Sequence, residues 1–154
     1  MNKNVIISVK GSQTMPDQEE ENLELVTEGK YYKKGSTYYI TYKESQVTGM
    51  EGTTTTLKIS DGEVTILRFG TVNSQMVFKK GQKSYSYYDT VYGAFTIAIF
   101  SNEVDINVDD NGGEIRVDYT LEIDNNTLGK NNFYMNIRET GLNNDKADNS
   151  IMLQ

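Results

Sequence analysis

Ile115-Arg-Val-Asp-Tyr-Thr-Leu-Glu-Ile-Asp124 alternates apolar and polar residues without a break. A period of two puts Ile115, Val117, Tyr119, Leu121 and Ile123 on one face of an extended strand, and Arg116, Asp118, Thr120 and Glu122 on the other. A helix would scatter the same residues around its circumference, so the stretch reads as a half-buried β-strand. Tyr119 and Leu121 are expected to be mostly buried, with Arg116 and Asp118 turned outward. Upstream, Val104–Asp109 repeats the pattern; downstream, Phe133, Met135 and Ile137 do so again.

The connections point the same way. Asn111-Gly112-Gly113 and Asp61-Gly62 each separate two β-rich runs. Both suit a type I′ hairpin, which takes positive φ at both central residues. Lys34-Gly35-Ser36 and Lys80-Gly81-Gln82 are weaker versions. The expected strands are 4–11, 22–33, 36–46, 53–60, 63–70, 74–80, 83–91, 94–101, 103–109, 114–124 and 132–139, rich in Thr and Tyr as a pleated, half-buried surface prefers. The acidic run Glu19-Glu20-Glu21, close after Pro16, reads as a loop. Many short strands joined by tight turns must deal with their edges; closure into a barrel does so completely, with a two-sheet sandwich as the alternative. The single proline is too little to blunt edges, which favours closure.

Composition sets the boundaries. A chain of 154 residues fits one domain. Only 36% of it is hydrophobic, so the apolar residues have to lie along one face of many strands. The formal charge of −7 repels a phosphate backbone. The Lys30, Lys33, Lys34 cluster and the Lys79, Lys80, Lys83 cluster each sit beside a turn glycine and read as solvated hairpin tips. No nucleic-acid partner is expected. Cysteine, histidine and tryptophan are absent. Disulfides, thiolate catalysis and Cys-based zinc sites are therefore excluded, along with the commonest general base. The N-terminal stretch Met1-Asn-Lys-Asn-Val-Ile-Ile lacks the apolar core of a secretion signal, and no apolar run is long enough for a membrane helix. A cytoplasmic location and no membrane partner are the expectations. Residues 1–139 form the expected barrel domain. Residues 140–154 lose the alternation and read as a flexible tail, whose Ile151-Met152-Leu153 is an alternative docking segment.

Two features raise questions of chemistry. Asn107-Val-Asp109-Asp-Asn111-Gly112 resembles the start of a calcium loop, but Asn stands first, Asp118 stands where a bidentate Glu belongs, and the flanks alternate as strands. It reads as an acidic hairpin tip, and no metal is expected. Glu44 continues the face of Tyr38, Ile40 and Tyr42, and Arg68 continues that of Val64 and Ile66. If those faces point inward, a carboxylate and a guanidinium enter the barrel, where charges need partners. The pair is then a structural ion pair or an anchor for the head group of an anionic amphiphile. Eleven tyrosines either line a cavity or simply pack the walls. Nothing couples two carboxylates for acid–base work, and no phosphate loop or nucleophile elbow is present.

The strings Tyr39-Ile-Thr-Tyr-Lys-Glu44, Gly49-Met-Glu-Gly52, Thr56-Leu-Lys-Ile59, Arg68-Phe-Gly70, Met76-Val-Phe78, Tyr88-Asp-Thr-Val-Tyr-Gly93 and Tyr119-Thr-Leu121 follow one another in a recognisable order. Together they resemble the YwiB-like family of small uncharacterised proteins from Gram-positive bacteria, over roughly residues 3–139. The resemblance implies a calycin-like barrel, related in shape to lipocalins and fatty-acid-binding proteins, and no known activity. The Gly-x-Trp signature of true lipocalins is missing, so the likeness extends to barrel geometry and not to lipocalin-style transport.

The expected fold is an all-β, antiparallel, calycin/lipocalin-like β-barrel of about eight to eleven short strands. The expected function is non-catalytic binding of a small amphipathic ligand inside the barrel, with Tyr42, Glu44, Arg68, Tyr88, Thr90 and Tyr119 as the candidate ligand-binding set and no cofactor. The alternative is a filled barrel acting through its surface or by homodimerisation.

Overall fold

The structure, a computed structural model, describes residues 1–15, 18–124 and 126–140. Its ten strands are β1 (Asn2–Thr14), β2 (Glu21–Lys34), β3 (Thr37–Lys43), β4 (Thr53–Ser60), β5 (Glu63–Gly70), β6 (Ser74–Lys79), β7 (Lys83–Thr90), β8 (Gly93–Asp109), β9 (Gly112–Ile123) and β10 (Asn126–Glu139). One 3₁₀ turn, Gln46–Thr48, joins β3 to β4. The described residues contain no α-helix. Among the described residues, no helix is long and apolar enough to cross a membrane.

All ten strands belong to one antiparallel sheet in the order β6-β5-β4-β3-β2-β1-β10-β9-β8-β7. Sequence neighbours pair, and β1 closes on β10 through ten residue pairs from Val5↔Glu139 to Thr14↔Lys130. The sheet thus curls into a nearly closed barrel. The remaining edges, β6 and β7, face each other across a seam held by the reciprocal bonds of Asn73 and Asp89, each 2.9 Å. The Ser84 hydroxyl adds a bond to the Val77 carbonyl. Thr140, the first residue of the expected tail, donates to the Asn4 carbonyl and so belongs with the barrel; the rest of that tail lies outside the described residues.

The structure departs from expectation in three places. The runs 94–101 and 103–109 are one strand, β8, because a bulge at Asn102 inserts a residue and reverses the inward phase without breaking the chain. Neither predicted type I′ turn forms. Gly62 has φ 69° and Gly112 φ 122°, while Asp124 is the one described non-glycine with positive φ. Both turns place the left-handed conformation on glycine, where it carries no Cβ penalty. Finally, Ile115 and Val117 are fully buried, whereas Tyr119, Leu121 and Ile123 are half-buried, as is Asp118 on the opposite face. The strand alternates as read, but its second half borders a space.

Gly29 shows how tightly the wall is drawn. A Cβ there would lie 2.5 Å from both the Ile7 side chain and the Thr41 carbonyl oxygen, so only a hydrogen lets β2 pass between β1 and β3.

Candidate functional site

The inward faces of the strands divide near mid-height. Toward one end Val5, Ile7, Tyr31, Ile40, Ile115 and Ile137 are buried and fill the barrel. Tyr31 stacks on Tyr38, with ring centroids 5.2 Å apart, and its hydroxyl donates to the Asp109 carbonyl at 2.7 Å. Tyr38 in turn donates to Asp110, which Lys33 approaches to 3.7 Å. These bonds tie β2 and β3 to the β8–β9 turn and close that end. They also account for the oxygen-rich tip singled out in the sequence: Asp109 accepts from the Asn111 amide, and Asp110 is held by Tyr38.

Toward the other end the barrel is hollow. A cavity of about 530 Å³ runs from an aromatic floor to a rim that includes the exposed Glu21 and Asn22. Its volume falls within the range of small-molecule sites. In the floor, Phe78 meets Tyr119 and Phe133 edge-on, at 4.9 and 5.8 Å between centroids. Leu25, Leu57, Ile66, Met76, Ile97 and Met135 supply apolar walls.

Into this apolar chamber project Glu44 and Arg68. Glu44 sits just past β3, on the inward phase of Ile40 and Tyr42, and its side chain is 1% exposed. Arg68 occupies the inward phase of β5 after Val64 and Ile66, with 16% exposure. Arg68 Nε lies 3.9 Å from Glu44 Oε2, an ion pair too long to be a hydrogen bond. Oε2 instead accepts from Thr55 Oγ1 at 2.5 Å, and Arg68 Nη1 reaches the Met76 sulfur at 3.8 Å. Glu44 Oε1 and Arg68 Nε are both buried, and neither has a hydrogen-bonding partner among the described residues. Buried polar atoms are usually satisfied, so two orphans of opposite polarity at one spot mark the site.

The tyrosines around the pair register its environment. Burial holds the Tyr42 phenol well above its ordinary pKa; the Glu44 charge adds to the shift and Arg68 opposes it. Tyr119 is raised by burial against the lowering field of Arg68. Of the six residues expected to bind, Tyr42, Glu44, Arg68, Tyr88 and Tyr119 all line the cavity. Thr90 does not join them. It lies at the end of β7, where its hydroxyl donates to the Gly93 carbonyl and accepts from the Tyr92 amide, stabilising the β7–β8 turn. Sequence reasoning missed Asn131, a buried lining residue on β10 in phase with Phe133, Met135 and Ile137. A polar residue interrupting an apolar inward face was the available signal. Tyr85, Tyr87 and Tyr92 are exposed on the β7–β8 hairpin.

An up-and-down meander closed end on end, filled at one end and hollow at the other, is a β-barrel protein of the kind that encloses a small interior. The chain belongs to the family described as a domain of unknown function, DUF1934, whose model matches residues 7–135. It is similar to the "Uncharacterized beta-barrel protein YwiB" of Bacillus subtilis (strain 168), with 27% identity over 107 residues, covering 70% of this chain and 74% of that one. The crystal structure of the ywiB protein from Bacillus subtilis superposes with a TM-score of 0.76 at 21% identity, over 91% of this chain and 94% of that one. That likeness is one of fold.

Proposed function

We propose that this protein is a non-catalytic binding module that takes a small amphipathic ligand into the hollow end of its barrel. The observation that carries the reading is the orphaned pair: Glu44 Oε1 and Arg68 Nε, buried at an apolar cavity with no partner for either among the described residues. A purely structural ion pair would be expected to close to hydrogen-bonding distance and satisfy both groups. With Arg68 Nε held 3.9 Å from Glu44 Oε2, the pair leaves one acceptor and one donor for a guest whose tail lies along the apolar walls. A cytoplasmic setting is part of the proposal; with no cysteine, nothing in the chain depends on an oxidising compartment.

Native mass spectrometry of protein purified under mild conditions tests it. A mass adduct that disappears on organic extraction is expected, together with uptake of the neutral apolar dye Nile red by the extracted protein. Bare protein that takes up no dye would refute the reading. The exposed Tyr85, Tyr87 and Tyr92 favour a second reading, self-association through the β7–β8 hairpin, which the same spectrum reports as a dimer.

A further inference from the structure

The cavity's charges define its guest more narrowly. Its lining includes two carboxylates, Glu21 and Glu44, and one guanidinium, Arg68. Arg68 is already balanced by Glu44 at 3.9 Å, so the anchor has no surplus positive charge to offer. An anionic head placed on Arg68 Nε would stand beside the buried Glu44, and like charges in a poorly solvated site repel strongly. A cationic head placed on Glu44 Oε1 would meet Arg68 in the same way. The two orphans are one acceptor, on the carboxylate whose other oxygen lies 3.9 Å from Arg68 Nε, and one N–H donor. A single small group carrying both a donor and an acceptor satisfies them together.

Building on the binding reading, we infer that the ligand's head group is uncharged and bears an adjacent donor and acceptor, as a primary amide does, rather than the anionic head that the Arg68 side chain alone suggests. The N–H of such a head donates to Glu44 Oε1, and its carbonyl accepts from Arg68 Nε. The alkyl part then lies against Leu57, Ile66 and Met76, and the Phe78–Tyr119–Phe133 floor limits how deep it reaches.

The test is displacement of Nile red from the wild-type protein by decanamide, decanoate and decylammonium, which share one chain and differ in the head. Decanamide is expected to bind about tenfold or more tighter than either charged analogue. In Glu44→Gln the remaining guanidinium should shift the preference to decanoate, and in Arg68→Met the remaining carboxylate should shift it to decylammonium. If decanoate or decylammonium binds the wild type as well as decanamide does, the neutral-head inference is overturned while the barrel remains a binding site. Equal affinity for all three would mean that solvent alone serves the pair, and that also overturns it. If none of the three displaces the dye and the dye itself does not bind, the binding reading falls and the inference falls with it. The wild-type series decides the matter even if a variant fails to fold.

Discussion

The two ends of the barrel are built from the same ten strands and do opposite things. At the filled end, tyrosine hydroxyls find backbone and carboxylate partners, and Val5, Ile7, Tyr31, Ile40, Ile115 and Ile137 are buried. At the hollow end, the same strands present Tyr42, Tyr88 and Tyr119 around a carboxylate and a guanidinium, each with one buried atom that no described residue satisfies. Polar chemistry at the filled end serves stability, and polar chemistry at the hollow end is left unspent. The difference lies in composition along each strand: β5 runs from Val64 to Arg68, and β10 runs from Ile137 back to Asn131.

The strongest way to break the comparison is to cut into both ends. At the filled end, Ile40→Ala removes a fully buried side chain and should cost about 4 kcal/mol in chemical denaturation. Leu121→Ala, half-buried at the hollow end, should cost only about 1 kcal/mol, since it enlarges an existing space instead of opening a void. Equal costs would mean that the two ends are packed alike.

The anchor comes next. Arg68→Met leaves Glu44 buried with Thr55 as its remaining bond, and should cost about 3 kcal/mol in ligand-free protein. This is the low end for buried pairs because Arg68 retains some solvent contact. The double substitution with Glu44→Leu should regain most of that loss, and a double variant no more stable than the single would show that the charges are not coupled. Tyr31→Phe, which strands the Asp109 carbonyl at the filled end, should cost about 1 kcal/mol.

The smallest effect is read with alkali. Burial holds Tyr31, Tyr42 and Tyr119 above the ordinary phenol pKa. Below pH about 10 each is neutral whether the chain is folded or not, so no dependence arises there. Above it, the unfolded chain releases these protons and the folded chain keeps them, so stability should fall as pH rises. Tyr42→Phe should flatten that slope. Ultraviolet titration should show Tyr31, Tyr42 and Tyr119 ionising only as the chain unfolds. All eleven ionising together without unfolding would contradict the burial assigned to the three.

Much of this was legible in the sequence, and what was not has physical causes. Alternation from Ile115 to Ile123 tells which side chains point inward, and the phase of Tyr42–Glu44 and Ile66–Arg68 brings the charged pair into the interior. Alternation is silent on depth, because how far along the barrel a residue sits depends on the stagger between strands. That is why Leu121 borders the cavity instead of the core, and why Thr90, inward in phase, lies beyond the wall at a turn. The bulge at Asn102 looked like a strand break because one inserted residue reverses the alternation just as a turn does.

The account rests on the hollow end being where a guest sits, and methionine methyl NMR reads that directly. Met76 and Met135 line the cavity, and Met1 lies exposed at the start of the chain. Adding decanamide should move the Met76 and Met135 resonances together, in a saturable way, and leave that of Met1 in place. Saturable binding with Met76 and Met135 unmoved would place the guest elsewhere and contradict the account.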